Sequence, residues 1–297
     1  MKNTLLHRVS LIVGSIALAG SLQAQLPVGS HYPVGAEGIK GGSLPPPGVY
    51  LRDYNFFYTS DRVAGLPVDA DIFAYVQAPR LIWITKQQIL GADYGMDIIV
   101  PFFDKELHGA LGGRNKFGLG DLQLEPVLLS WHEKKFDVAA GYALWVPTGS
   151  FESDSALHFL TSPGNGFWTH MFTLGGTYYA DEEKTIALSL LNRYEINTRQ
   201  AQTGITPGNM WTPEWGASKT VYEGIDVGLI GYYQDLITHD SGVNAARVGS
   251  HVTGVGPEVS ALIKPLGMFG SLRYAYEVDA ANRPQGQTIT LTLTKPF

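Results

Sequence analysis

Histidine residues are the side chains of this chain that would most readily hold a redox metal. Such a metal is typically bound by two histidines and a carboxylate. No HxH, HExxH or HxxEH spacing occurs among the histidines that follow residue 24, which are His31, His108, His132, His158, His170, His239 and His251. The sequence therefore predicts no metal site and no cofactor.

Two serine–histidine pairs are candidates for nucleophilic attack on an ester. Ser130 and His132 lie two positions apart, and Ser250 and His251 are adjacent. Side chains two positions apart in a strand are about 7 Å from each other at the backbone. That distance is too long for the hydrogen bond that activates a serine. We therefore predict that the protein is not an enzyme and keep a lipid hydrolase as the weaker alternative.

Charged residues recur in segments where polar and apolar residues alternate. Such groups would either line a polar pathway or neutralise one another across neighbouring strands. The candidates for this interior set are Asp121, Glu125, Arg193, Glu195, Asp226, Glu258, Arg273 and Glu277.

Turn-forming residues bound one segment that is rich in aromatic residues. Pro147-Thr-Gly149 and Ser162-Pro-Gly-Asn-Gly166 have the composition of turns and enclose Phe151 and Phe159. We expect a loop in which these two rings contact an apolar ligand. An unspecialised loop is the alternative interpretation.

The C-terminal residues 287–297 show the pattern that must position these side chains. Threonines occupy the even positions 288 to 294, and aliphatic residues occupy the odd positions 289 to 293. This period of two predicts a strand with one apolar and one hydroxylated face. An apolar strand that ends on an aromatic residue resembles the last strand of a bacterial outer-membrane barrel. In such a barrel Phe297 would be the assembly signal for the barrel-assembly machinery.

Similar alternation recurs along the chain. The clearer segments are Gly120–Trp131, Phe136–Val146, Lys184–Asn197, Tyr222–Tyr233, Val255–Ile263 and Gly270–Val278, and the alternation is weaker in Phe167–Ala180. Aromatic residues on both faces blur the alternation in the strand-like segments Gly48–Thr59, Asp71–Thr85 and Asp93–Phe103, and Met210–Val221 adds a further strand. Together with the last strand, these segments predict an all-β fold of about 12 strands, plus or minus two.

A soluble sandwich would show the same alternation with its apolar face buried. Two features favour the inverted arrangement of a transmembrane antiparallel β-barrel. Charged residues lie in the interior of the predicted strands, where a lumen can pair them. Aromatic residues also lie near the predicted strand ends, as interfacial girdles require, namely Trp131, Trp145, Trp168, Tyr194 and Tyr233.

The N-terminus predicts export. A short basic region with Lys2 and Arg8 precedes an apolar stretch, Leu11 to Ala19, that is too short to span a bilayer. Residues 1–24 therefore have the pattern of a cleaved signal peptide. Removal of these residues leaves 19 basic and 27 acidic residues, which makes nucleic acid an unsuitable partner. The absence of cysteine fits passage through an oxidising periplasm.

The mature chain divides into two parts. Residues 25–47 form a short segment that is rich in proline and glycine and ends in Leu44-Pro-Pro-Pro47. Consecutive prolines cannot donate the hydrogen bonds of a sheet, so this segment is either a leader or a small plug. Residues 48–297 form the predicted barrel.

Several motifs resemble one outer-membrane family, which is named for its association with meta-pathway phenol degradation. They occur in order along the mature chain and are Gly41–Tyr58, Asp61-Arg62, Phe117–Leu122, Pro126, Pro147–Gly149, Pro207-Gly208 and Gly254–Pro257. The family is similar to the outer-membrane transporters of long-chain fatty acids and aromatic hydrocarbons. The resemblance implies a barrel in the cell outer membrane, in contact with its lipid, that passes hydrophobic or aromatic small molecules. The alternative is a binding or structural barrel without transport, and nothing in the sequence supplies ring-opening chemistry.

Overall fold

The structure, a computed structural model, describes residues 26–65, 69–109 and 112–297. The predicted signal peptide, residues 1–24, lies outside the described residues. The described strands are β1 Gly48–Ala64, β2 Asp69–Ile89, β3 Ala92–Ile99, β4 Phe102–Gly109, β5 Arg114–Leu119, β6 Leu122–His132, β7 Phe136–Val146, β8 Thr169–Tyr179, β9 Ile186–Asn197, β10 Met210–Tyr222, β11 Ile225–Leu236, β12 His251–Ile263, β13 Met268–Ala281, β14 Arg283–Pro284 and β15 Gln287–Pro296. A short helix, α1, spans Ala156–Thr161, and a 3-10 helix spans Lys264–Leu266.

The strands form one closed antiparallel sheet. β1 pairs with β2 on one side and with β15 on the other, from Tyr50 opposite Pro296 to Thr59 opposite Gln287. β3 and β4 are two halves of one barrel strand because both pair with β2, and β5 and β6 form the next strand in the same way. β14 adds only a two-residue pairing at the end of β1. The barrel therefore has 12 strands, as the sequence predicts.

Two neighbouring strands are interrupted at the same level of the wall. The sequence predicts one strand over Asp93–Phe103, but the structure breaks it at Val100 and Pro101. Proline has no N–H to donate to the ladder. The neighbouring strand is interrupted at Gly120 and Asp121, between β5 and β6. The Gly120 N–H donates to the Pro101 carbonyl at 2.8 Å, which connects the two breaks. The prediction of strand structure in this segment is confirmed, but the prediction of one uninterrupted strand is wrong.

The exposure of the two strand faces shows that the apolar face of the barrel points outward. Outward residues such as Leu190 and Leu229 are 51% and 58% exposed, whereas inward Glu195 and Glu277 are 1% and 2% exposed. A soluble protein reverses this distribution. The apolar outer surface matches the hydrocarbon core of a bilayer, so the structure confirms the transmembrane barrel.

The connections differ in length at the two ends of the barrel. The end at which β1 begins and β15 finishes, here the terminal rim, carries short turns at 90–91, 133–135 and 223–224. The opposite end, here the loop rim, carries the long connections 147–168, 198–209 and 237–250. In outer-membrane barrels long loops are extracellular and short turns periplasmic. None of the helices within the described ranges is long and apolar enough to cross a bilayer.

Residues 26–47, here the interior segment, pass through the lumen from the loop rim to the terminal rim. Near the loop rim the Val28 N–H donates to Asp240 Oδ2 at 2.8 Å. Near the terminal rim the Ser43 hydroxyl donates to Asp137 Oδ2 at 2.7 Å. A Cβ on Gly42 would collide with the Gly176 backbone of β8, so the close approach of segment and wall requires glycine there.

Leu229→Arg tests the outward apolar face. Leu229 lies mid-strand in β11, and arginine at the bilayer midplane costs about 2–4 kcal/mol. We expect that loss in the free energy of unfolding, measured by guanidinium titration in lipid vesicles. The control is Leu266→Arg in the terminal-rim turn, because Leu266 is 57% exposed against 58% for Leu229. The control should change stability by less than about 0.5 kcal/mol, and equal losses in both variants would contradict the bilayer assignment.

Candidate functional site

Three arginines from different strands converge on one carboxylate of the interior segment. Glu37 lies 3.3 Å from Arg52 of β1, 3.3 Å from Arg80 of β2 and 3.9 Å from Arg193 of β9. Tyr54 donates its hydroxyl to Glu37 Oε1 at 2.8 Å. Since like charges repel strongly in a low-dielectric interior, the shared carboxylate fixes both the arginines and the segment.

Wall carboxylates complete the neutralisation of these arginines. Arg80 Nη2 lies 2.5 Å from Asp97 and 3.0 Å from Glu125. Arg193 Nη1 lies 2.7 Å from Glu214, and its guanidinium stacks 4.1 Å from the centre of the Tyr32 ring. The charge layer comprises Glu37, Arg52, Arg80, Asp97, Glu125, Arg193 and Glu214.

A second contact fixes the interior segment closer to the loop rim. His31 Nε2 lies 2.8 Å from Asp121 Oδ2, and His31 Nδ1 lies 2.7 Å from Thr169 Oγ1. This resembles a nucleophile–histidine–carboxylate array, but Thr169 is fully buried, lies outside the cavity lining and donates to Asn197. The array therefore serves as an anchor. Asp121 also accepts the backbone N–H groups of Gly149 and Asn165, which connects the segment to loop 147–168.

A cavity of about 370 Å³ lies between the charge layer and the loop rim. Its volume falls in the range of about 300–1,000 Å³ that is usual for small-molecule sites. The apolar part of its lining includes Tyr54, Phe56, Val76, Ala78, Ile99, Phe103, Trp145 and Met171 from the barrel strands and Tyr32, Val34 and Ala36 from the interior segment. A smaller cavity of about 90 Å³ lies toward the terminal rim and shares Glu37, Arg80, Glu125 and Arg193 with the larger one. The charge layer thus separates the two cavities.

The structure places four of the eight predicted interior residues in the lining of the larger cavity. These are Asp121, Glu125, Arg193 and Glu277. Glu277 accepts the Tyr58 hydroxyl at 3.0 Å and the Gly286 N–H at 2.6 Å. The carboxylates among them already accept hydrogen bonds from the protein.

The other four predicted residues face the interior segment or the wall. Glu195 accepts the N–H groups of His31 and Tyr32, and Glu258 accepts the Ile39 N–H. Asp226 lies 2.7 Å from Lys40 Nζ, and Arg273 donates to Thr292. Three of them therefore hold the segment in place.

The two predicted loop aromatics contact each other. Phe151 and Phe159 pack edge to face with their centroids 5.8 Å apart, and neither lines the larger cavity. Glu152 of the same loop lies 2.8 Å from Lys116 and 2.7 Å from Arg114. Hydrogen bonds from these two cations lower the pKa of Glu152 to about 2.

One group of side chains has the spacing of metal ligands. Oxygen and nitrogen atoms of Glu152, Asp154 and His158 lie within 4.8 Å of one another. Arg114 and Lys116 already neutralise Glu152, so the group offers a cation less negative charge than its composition indicates.

The serine–histidine pairs do not form nucleophile–base hydrogen bonds. Within the described residues Ser130 Oγ has no hydrogen-bond partner, and His132 contacts Asp137 instead at 3.2 Å. His251 contacts Asp279 at 3.0 Å. At the C-terminus the Phe297 N–H donates to the Val49 carbonyl at 2.9 Å, and the role of Phe297 as an assembly signal stays a prediction.

Sequence reasoning missed most of the apolar cavity wall. It assigned Trp145 to an interfacial girdle, but the structure buries this ring inside the barrel, stacked on His31 with centroids 5.5 Å apart. Trp145 has the same parity as the inward Ala139 and Ala143, and that parity was the available signal. Arg80 and Phe56 lie in β2 and β1, where aromatic residues on both faces hide the alternation.

Glu37→Ala tests the charge layer. The substitution leaves three inward arginines without their shared carboxylate, and removal of one partner of a buried ion pair costs about 3–5 kcal/mol. We expect the free energy of unfolding in lipid vesicles to fall by that amount. The control is Glu182→Ala, which removes an ion pair to Lys134 in which both side chains are more than two-thirds exposed, and it should cost less than about 1 kcal/mol. Equal effects would show that Glu37 is not a stabilising contact.

Solved structures share this fold. A COG4313 outer-membrane channel from Pseudomonas putida F1 aligns with a TM-score of 0.75 and 16% identity, and the match covers 90% of this chain and 100% of the channel. The β-domain of the Bordetella autotransporter BrkA has a TM-score of 0.51 and 9% identity, with 85% and 100% covered. The translocator domain of the autotransporter NalP from Neisseria meningitidis has a TM-score of 0.50 and 11% identity, and the match covers 86% of this chain and 91% of the domain. At these identities the likeness shows the fold of an outer-membrane β-barrel.

Comparison by sequence gives the family. No curated protein sequence matches this chain significantly. Residues 57–293 match the family described as "Putative MetA-pathway of phenol degradation", which agrees with the motifs that begin at Gly41. The match spans most of the chain, and the chain therefore belongs to this family.

Proposed function

We propose that this protein is an outer-membrane channel for the passive uptake of hydrophobic or aromatic small molecules. The observation that carries the proposal is the 370 Å³ cavity, which has an aromatic and aliphatic wall inside a closed transmembrane barrel. A channel for hydrophilic solutes would need a continuous polar pathway, whereas an apolar wall lowers the free energy of an apolar solute. The similarity to the COG4313 outer-membrane channel supports a channel, and the name of the family, which refers to phenol degradation, supports this solute class.

The proposed mechanism follows from the position of the charge layer. A solute enters from the loop rim and partitions into the cavity, where Phe56, Trp145 and Met171 offer apolar contact. The interior segment then blocks the lumen, because Glu37 and the three arginines separate the larger cavity from the smaller one. Passage follows the concentration gradient and requires the segment to shift, with no nucleotide or cofactor.

Cells that express the protein test the proposal through uptake of radiolabelled toluene, phenol and a long-chain fatty acid. We expect faster uptake of at least one solute than in cells without the protein. The outer-membrane fraction should also contain a band whose gel migration changes on heating, which reports a folded barrel. A heat-shifted band with unchanged uptake of all three solutes would contradict transport and favour a binding or structural barrel.

Ala78→Phe tests whether the cavity lies on the pathway. Ala78 lines the cavity from β2, so a phenyl ring there would occupy part of the space. We expect uptake to fall toward the level of cells without the protein. The control is Leu81→Phe, which lies three residues along the same strand but is 49% exposed on the outer face. Unchanged uptake in a folded Ala78→Phe protein would exclude the cavity from the pathway.

Deletion of residues 30–45 tests whether the interior segment closes the lumen. Its removal leaves the space between the barrel walls to water, so ion conductance should rise. Planar-bilayer recording of single channels would measure the change, with the intact protein as reference. A heat-shifted, folded deletion variant with the conductance of the intact protein would show that the segment does not limit passage.

A further inference from the structure

The cations that line the larger cavity differ in their partners. Arg80 and Arg193 each lie within 4 Å of at least two carboxylates. Among the described residues, Lys105 and Arg283 have no carboxylate oxygen within the 4.0 Å limit of an ion pair, although both line the same cavity. These two cations are therefore candidates to bind an anion that the protein itself does not supply.

The surroundings of Lys105 leave its ammonium group only partly satisfied. Its Nζ donates to the Ser162 carbonyl at 2.6 Å and lies 5.0 Å from the centre of the Phe103 ring. An ammonium group has three N–H donors, and the structure assigns a protein acceptor to one of them. Asp121 also lines the cavity, but its oxygens are engaged by His31 and two backbone N–H groups.

Arg283 is a less suitable anion-binding group than Lys105. Its Nη1 donates to Gln234 Oε1 at 2.8 Å. Glu277 lies in the same part of the interior, because it accepts the N–H of Gly286, which follows Arg283 by three residues. An anion bound to Arg283 would therefore lie near the Glu277 carboxylate. An anion bound to Lys105 would meet the Phe103 ring and the Ser162 backbone. The nearby Asp121 carboxylate lies beyond ion-pair distance of Lys105 and is already engaged by His31 and two backbone N–H groups.

The rest of the cavity wall defines the body of the ligand. Phe103 lies opposite Val76 in the pairing of β4 with β2, so the apolar wall begins beside Lys105. The wall continues through Phe56, Trp145 and Met171. A ligand with one anionic end and an apolar body would pair the ammonium group and bury its body against these side chains. A neutral hydrocarbon would only remove water from Lys105, which costs free energy when no acceptor replaces it.

We propose that the cavity binds monocarboxylates with an aromatic or aliphatic body, and that the carboxylate pairs with Lys105. This inference rests on the proposed function and adds the charge of the substrate to it. A single negative charge fits better than a dianionic group such as a phosphate monoester, because Asp121, Glu125 and Glu277 also line the cavity and would repel the second charge.

Binding of a matched acid and ester to the purified protein tests the inference. Radiolabelled 4-propylbenzoate and methyl 4-propylbenzoate differ in charge but share their apolar body. Equilibrium dialysis against the full chain in lipid nanodiscs, with empty nanodiscs subtracted, gives both dissociation constants. We expect the acid to bind the wild-type protein about tenfold more tightly than the ester, which corresponds to about 1.4 kcal/mol.

Variants of Lys105 separate charge from packing. Lys105→Met should abolish the preference for the acid, and the ester should bind at least as tightly as it binds the wild type, because the cost of removing water from the ammonium group is gone. Lys105→Arg should keep the preference, and so should the control Lys134→Met, because Lys134 is 77% exposed in a terminal-rim turn. Heat-shifted gel migration shows that each variant is folded, and should Lys105→Met not fold, Lys105→Gln takes its place.

The outcomes distinguish this inference from the proposed function. Equal binding of acid and ester to the wild type, or an acid preference that survives in Lys105→Met, would overturn the role of Lys105. If toluene uptake persists in that case, the channel function stands without a carboxylate site. An acid preference that depends on Lys105, without uptake of any solute by cells, would support the binding site and overturn transport.

Discussion

The contact of Glu37 with Arg52, Arg80 and Arg193 is the interaction on which the interior of this barrel depends. Three guanidinium groups from strands β1, β2 and β9 point into one region of low dielectric, where their mutual repulsion would be large. The carboxylates of the wall neutralise part of this charge, and the interior segment supplies the rest. Residues 26–47 contain no strand and so cannot be held by strand pairing with the wall. The ion pairs of Glu37 are therefore a main contact that positions the segment.

The cavity exists because of that placement. On the loop side of the charge layer the segment contributes Tyr32 and Ala36 to an apolar cluster with Tyr54, Phe56, Trp145 and Met171. On the other side Ile39, Lys40 and Ser43 contact Glu258, Asp226 and Asp137 of the wall. The lumen is thus divided into an apolar compartment near the loop rim and a polar one near the terminal rim. This polarity suits a solute that is captured from the outer surface and released only when the segment moves.

The barrel wall depends on a different constraint. Every backbone N–H and C=O group at membrane depth needs a partner within the protein, and a closed sheet is the β structure that provides it. The ten-residue pairing of β1 with β15 closes the sheet. The breaks at Val100–Pro101 and Gly120–Asp121 remove ladder bonds from two adjacent strands, but the Gly120 N–H and the Asp121 carboxylate find acceptors and donors beside them. The break allows Asp121 to make these contacts, because a residue outside the ladder can turn its carboxylate toward the loop backbone.

The sequence by itself determined the alternation of the strands, their approximate number and the placement of the charged residues on the polar face of their strands. These features depend on the period of two within each segment, which can be recognised without knowing which strands pair in the folded sheet. Only the tertiary structure decided which charges meet, because Glu37 lies in the interior segment and Arg52, Arg80 and Arg193 lie on three different strands. It also decided that Trp145 packs against His31 inside the barrel and that, within the part of the chain that the structure describes, Lys105 has no carboxylate at ion-pair distance. The parity of Trp145 within β7 indicates its inward orientation, but its contact with His31 and the surroundings of Lys105 follow from the strands and the part of the interior segment that lie opposite these residues across the lumen.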